Sequence, residues 1–144
     1  MRRPAAVSAF AVILVVLAAV RMSFSAPPPA AAQLARGKYI VEGVAMCGEC
    51  HSMLDDKGKP IPGREYKGAT LTFKPIQPMP IWADKAPNIA GLRGWEAEDA
   101  VKFLMTGLAY NDLPARPPMP QYRMNQEDAE AVVAYLKSLS PTRK

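Results

Sequence analysis

The 144-residue chain carries 18 Lys and Arg against 13 Asp and Glu, a net charge of +5, with 15 prolines, two cysteines and a single histidine. That length suits one domain and leaves no room for two. The charges alternate along the chain instead of clustering, which excludes a nucleic-acid footprint, and no phosphate-cradling glycine motif is present.

The N-terminus opens with Arg2 and Arg3, continues as an unbroken small and apolar run from Ala5 to Val20, and closes with Arg21, Ser23, Ser25 and Ala26. This charged-then-apolar layout marks residues 1–26 as a signal peptide or an N-terminal membrane anchor. The run falls a little short of the roughly 20 apolar residues of a comfortable span, so cleavage near Ser25 or Ala26 is the favoured reading and a retained anchor the alternative. Both readings put the folded part in the periplasm or on the outer face of the cytoplasmic membrane, and membrane association through this segment stays open. Without Arg2, Arg3 and Arg21 the basic residues fall from eighteen to fifteen against thirteen acidic ones, a balance of +2.

Residues 27–32 (PPPAAA) read as a stiff linker into a domain at 33–144. From Gln33 to about Met46, Leu34, Ile40 or Val41, Val44 and Ala45 suit a modest helix. Within it, Gly43 is either merely tolerated or the place where a second helix crosses closely.

This helix leads into Cys47-Gly48-Glu49-Cys50-His51. On a helical turn both sulfurs leave one face, and His51, four residues after Cys47, points the same way. Both thiols can then bond to the edge of one haem while the imidazole reaches its iron, the pattern of c-type haem attachment. A structural zinc site needs four protein ligands, and no second ligand cluster completes the set. A thioredoxin-like dithiol expects a βαβ setting that the flanking sequence lacks. The expected cofactor is therefore one covalent haem c with its iron. Its two propionates would bring the net charge near zero.

Residues 52–90 are rich in proline and glycine, with one stretch, Ala69 to Lys74, that suits a short strand. So long a loop reads as a wrapping for the haem edge, with Ile81 and Trp82 as packing residues. A helix follows from about Glu96 to Thr106, with Glu96, Glu98 and Asp99 in the first turn, where carboxylates favour the helix dipole. Ala100, Val101, Leu104 and Met105 form its buried stripe, and Gly107 is its stop. After a second proline-rich loop, Ala109 to Arg123, the last helix starts at Asn125 as N-cap and carries Ala129, Val132, Val133, Leu136 and Leu139 at helical spacing until Pro141 bars extension. The fold class is all-α: three or more helices around one covalently attached haem, joined by long proline-rich loops. Haem would supply much of the apolar interior of so small a domain.

His51 accounts for one iron ligand. As the only histidine it excludes bis-histidine ligation within this chain, and methionine is the natural donor on the other face. Met1 and Met22 belong to the export segment, Met46 and Met53 lie too near the motif, Met105 sits in a helical stripe and Met124 precedes an N-cap. Met79 and Met119 remain, each flanked by proline on both sides. Met119 is favoured by its place before the terminal helix, and Met79 stays open beside it.

Taken in order, Cys47-x-x-Cys50-His51, Ala86-Pro87-Asn88-Ile89, and Pro118-Met119-Pro120-x-Tyr122 before the helix Ala131-Val-Val-Ala-Tyr-Leu-Lys137 resemble a class I c-type cytochrome over about residues 33–140. The order is more specific than any one motif, and the chain is most similar to exported single-haem cytochromes of bacterial respiratory chains. The resemblance implies Met119 as axial ligand and the Pro87 carbonyl as acceptor for the second imidazole nitrogen of His51. It implies a one-electron carrier and not an enzyme, with redox proteins as partners: a dehydrogenase, a cytochrome complex or a terminal oxidase. A haem subunit fixed to a membrane dehydrogenase or oxidase complex is the alternative. The segment between His51 and Pro87 is longer than in the smallest members of the family. Trp82, Trp95, Tyr122 and Arg123 stand as unranked candidates for the propionates and for docking.

Overall fold

The computed structural model describes residues 29–139, so residues 1–26, read above as signal or anchor, and Pro141 lie outside the described part. Helix α1 spans Pro29–Tyr39. Proline is tolerated in a first turn, where its missing N–H needs no partner, and the alanines that follow are strong helix formers. Residues 29–32, expected as linker, are therefore helical. The chain then widens into a π-helical turn, Ile40–Val44, which places the consecutive residues Ile40 and Val41 in the core and closes with the Ala45 N–H donating to the Ile40 carbonyl at 2.7 Å. Met46 follows in the left-handed region (φ 47°), and the five-residue helix α2, Cys47–His51, begins directly after it.

Residues 52–96 hold little regular structure. The strand expected from Ala69 to Lys74 shrinks to β1, Ala69–Thr70, which pairs antiparallel with β2, Lys85–Ala86, in the register Ala69 to Ala86 and Thr70 to Lys85. Gly68 (φ 86°) sits so close to this crossing that a side chain there would meet the Ala86 carbonyl oxygen at 2.8 Å. Its own N–H donates to the His51 carbonyl at 2.8 Å, which fastens the hairpin-like unit to the end of α2.

Helix α3 spans Ala97–Thr106 with Glu96 as its N-cap and Gly107 as its left-handed stop (φ 75°). Helix α4 spans Gln126–Ser138; the Asn125 side chain accepts the Asp128 N–H, and Glu127 and Asp128 sit in the first turn. The core is one cluster of Ile40, Val41, Ala100, Leu104, Ala129, Val132, Val133 and Leu136, drawn from the π turn, α3 and α4. The expected helical, sheet-poor architecture is what the chain adopts. Among the described residues no helix is long and apolar enough to cross a membrane.

The close helix crossing lies at Gly37, not Gly43. A Cβ on Gly37 would fall 2.0 Å from the Ala131 carbonyl oxygen of α4, whereas one on Gly43 would meet only the Tyr39 ring at 3.7 Å. Six residues separate the two, which at about 100° per residue puts them on different faces of any helix, and Gly43 lies on the exposed side of the π turn.

Candidate functional site

Between α2, α3, α4 and the loops lies a cavity of about 480 Å³. Cys47, Cys50 and His51 line one part of it, Met119, Pro120 and Tyr122 another, and Ile89, Leu92, Leu104, Val132, Val133 and Leu136 give it an apolar wall. That is the size and character of a cofactor pocket, apolar with a few convergent donor atoms.

His51 is buried, and its Nδ1 donates to the Pro87 carbonyl oxygen at 2.8 Å. A carbonyl can only accept, so the proton sits on Nδ1 and the lone pair is left on Nε2, the arrangement of a metal-ligating imidazole. Burial pushes the His51 pKa below its ordinary value, with the Pro87 carbonyl pulling the other way, so the ring is neutral at physiological pH. Burial likewise pushes the Cys47 thiol up to about 11. Among the described residues no three His, Cys, Asp or Glu converge on a point that could hold a metal ion, so a zinc site has no ligand set.

Of the two proline-flanked methionines, Met119 lines the cavity and Met79 does not; Met79 is 41% exposed. Tyr122, on the same loop, lines the cavity and donates its hydroxyl to the Ala45 carbonyl at 3.0 Å, tying the Met119 loop to the stretch that leads into Cys47. Burial, reinforced by Cys47 and Cys50, raises its pKa to about 12. Trp95 is also at the wall, where it packs against Phe103 and Tyr110. Trp82 and Arg123 are not. Arg123 instead donates to the Tyr122 carbonyl and the Gln121 side chain. Ile81 and Trp82 do not wrap the cavity as expected: Ile81 is 61% exposed, and Trp82 packs edge-on against Phe73 at 5.8 Å. Trp82 Nε1 is nevertheless buried without a hydrogen-bond partner.

Sequence reasoning missed Arg93, the cation among the residues lining the cavity. Its signal was available in Gly91-Leu92-Arg93-Gly94, where both glycines and Leu92 take positive φ and form a tight turn beneath α3. An exposed guanidinium at the rim of an apolar cavity suits an anionic edge of a bound group. The donor set, the free Nε2 and the apolar wall together fit a haem.

A family model for cytochrome c matches residues 34–140. This chain belongs to the cytochrome c family. Membership implies a covalently attached haem c with its iron, and Cys47, Cys50 and His51 stand at the matching spacing. The chain is similar to a diheme cytochrome c-type protein of Cereibacter sphaeroides, with 32% identity over 108 residues covering 71% of this chain and 34% of that protein. It is also similar to the fructose dehydrogenase cytochrome subunit of Gluconobacter japonicus, 30% identical over 115 residues, covering 72% of this chain and 21% of the subunit. The gluconate 2-dehydrogenase cytochrome c subunit of Pantoea cypripedii is 29% identical over 116 residues, covering 74% and 26%. The chain thus spans about a third or less of the length of these curated relatives.

Proposed function

We propose that this chain is a one-electron carrier with a single haem c, bonded through Cys47 and Cys50 and ligated by His51 Nε2 and the Met119 thioether. The observation that carries the reading is the apolar cavity on which both cysteines, the histidine and one proline-flanked methionine converge. When bound, the haem supplies a reversible one-electron change at its iron, and a His/Met pair raises its potential. The Pro87 carbonyl fixes the ring orientation and tautomer of His51 and raises its basicity. The apolar wall excludes water, and the Arg93 guanidinium at the cavity's rim would neutralise an anionic edge of the group. His51 and Met119 would then both be committed to holding the iron, which would leave no place for a substrate, so the role we propose is electron transfer and not catalysis.

The N-terminal apolar run supports a location in the periplasm or on the outer face of the cytoplasmic membrane, with redox proteins as partners. A second reading, a haem subunit fixed to a membrane dehydrogenase or oxidase complex, is favoured by the names of two relatives, both cytochrome subunits of dehydrogenases. Release of a haem-bearing monomer from cells without detergent supports the free carrier, and co-purification with a membrane enzyme supports the subunit.

The ligand assignment is tested by Met119→Ala in matured protein. The weak red charge-transfer band of a thioether–ferric bond should disappear while the haem stays attached. If the band survives in Met119→Ala and is lost in Met79→Ala, the assignment is wrong.

A further inference from the structure

The long segment after His51 does not lie against the cavity, yet one short piece of it touches the supports of both axial side chains. Pro87 accepts the His51 Nδ1–H at 2.8 Å. Four residues earlier, the Ala83 N–H donates to the Pro117 carbonyl at 2.7 Å, on the loop that bears Met119. Beside it, Arg116 Nε donates to the Ile81 carbonyl at 3.2 Å and Nη2 to the Trp82 carbonyl at 3.0 Å. Four extended residues reach at most about 14 Å, so the piece from Ala83 to Pro87 is a short tie between the two loops.

The tie is itself held straight. Within it, Lys85 and Ala86 form β2 against β1. The Leu71 N–H donates to the Asp84 carbonyl at 2.9 Å, Lys74 pairs with the Asp84 carboxylate at 2.8 Å, and Phe73 packs edge-on against Trp82. Among the described residues, Arg116 is the side chain of the Met119 loop that hydrogen-bonds the adjoining Ile81 and Trp82, and it spans these two successive carbonyls with a rigid fork that lysine does not have.

We infer that Arg116 is a positioning residue that clamps the Met119 loop onto an Ile81–Pro87 strap, so that a single length of backbone sets the His51 side and the Met119 side of the site against each other. The inference rests on Met119 being an iron ligand. Its expected consequence is kinetic: the thioether leaves the iron more readily when the clamp is cut, although no residue lining the cavity has changed.

The test uses haem-loaded Arg116→Ala and Arg116→Lys beside the unaltered protein, with imidazole binding to the ferric form as the probe of thioether departure. Losing two hydrogen bonds from a charged donor on an exposed loop should speed imidazole binding by about five- to tenfold in Arg116→Ala, and by less in Arg116→Lys, which can still reach one carbonyl. The red thioether band should persist in both. Amide exchange supplies the second readout: the Ala83 amide should exchange faster in Arg116→Ala while the Val133 amide in α4 keeps its rate. Unchanged imidazole binding overturns the inference. So does equal acceleration at Ala83 and Val133, since Arg116 would then brace the whole fold. If Arg116→Ala fails to mature, Arg116→Lys alone decides by the same readouts. Loss of the thioether band in Met79→Ala, with its survival in Met119→Ala, is a separate failure that removes the ligand reading itself.

Discussion

Gly37→Ala is the sharpest test of how α1 seats on α4. Alanine normally strengthens a helix relative to glycine by about 1 kcal/mol, so propensity alone forecasts a more stable protein. The crossing forecasts the opposite. The new methyl would lie 2.0 Å from the Ala131 carbonyl oxygen, 2.6 Å from its carbon and 2.9 Å from the Tyr135 Cβ, where ordinary contact begins near 3.4 Å. Two of those atoms are backbone in the middle of α4, so no side-chain rotation relieves the clash and the helices must part by about 1.4 Å. A gap of even 0.5–1 Å forfeits a quarter to a half of a contact's dispersion energy. Ala129, Ala131, Val132, Val133 and Leu136, all buried on α4, share that loss. Overpacking of this kind costs about 1–3 kcal/mol in general, and with an unyielding backbone partner the upper end applies. After the propensity gain, a net loss of about 2 kcal/mol is expected.

Gly43→Ala is the control. Its methyl would meet only the Tyr39 ring at an ordinary 3.7 Å on an exposed turn, so stability should change by less than about 0.5 kcal/mol. Denaturant unfolding of the haem-loaded variants, followed by far-ultraviolet circular dichroism and by haem absorbance, measures both. The midpoint should fall for Gly37→Ala with the slope unchanged. A Gly37→Ala protein as stable as the parent, or a Gly43→Ala protein weaker than Gly37→Ala, refutes the crossing.

Tyr122→Phe keeps the ring at the cavity wall and deletes the hydrogen bond to Ala45, for a loss of about 1 kcal/mol at neutral pH. The folded pKa of Tyr122 is raised, so its stabilising share is complete below the unfolded value near 10 and drains away as pH climbs through about 12. The difference in stability between parent and variant should therefore shrink across that window, and parallel curves refute it. Replacing both Cys47 and Cys50 with alanine in the absence of haem should abolish cooperative unfolding. A cavity of about 480 Å³ left unfilled costs, at about 24 cal/mol per Å³, at most about 12 kcal/mol, an upper bound because its mouth is open to water, and even a part of that rivals the whole stability of a domain. A sharp unfolding transition in that variant contradicts the estimate.

The helices were readable where a local signal carried them. Asn125 with Glu127 and Asp128 behind it, and Gly107 at the end of an apolar stripe, act within one turn of chain and need no partner to be interpreted. The Cys47-x-x-Cys50-His51 unit was readable for the same reason. Of the two readings left open for Gly43, the tolerated one holds, and the crossing at Gly37 went unread because spacing does not say which glycine meets a helix distant in sequence. Ile81 and Trp82 were misjudged because apolar character says that a residue packs and not against what. Arg93 escaped notice because the two glycines flanking it mark a turn in the sequence, but that the turn faces the cavity, with Leu92 also at positive φ, is visible only in the folded backbone. In each miss the deciding contact is long-range or conformational, beyond the reach of spacing rules.

The two halves of the site are built by different physics, and this determines where each is vulnerable. Cys47, Cys50 and His51 ride on a short helix locked to the core through Ile40 and Val41, so disturbing them means disturbing the packed cluster. Met119 rides on a loop with little regular structure, anchored at its end where Tyr122 and Met124 pack against the core and held elsewhere by hydrogen bonds that include those of Arg116 and Pro117 to Ile81, Trp82 and Ala83. Each such bond contributes only about 1 kcal/mol, so the loop can open without unfolding the domain. Proline at 117, 118 and 120 offsets this by lowering the entropy that the open loop could gain. Partial release on the Met119 side should therefore precede global unfolding, with the His51 side intact until the α1–α4 crossing gives way.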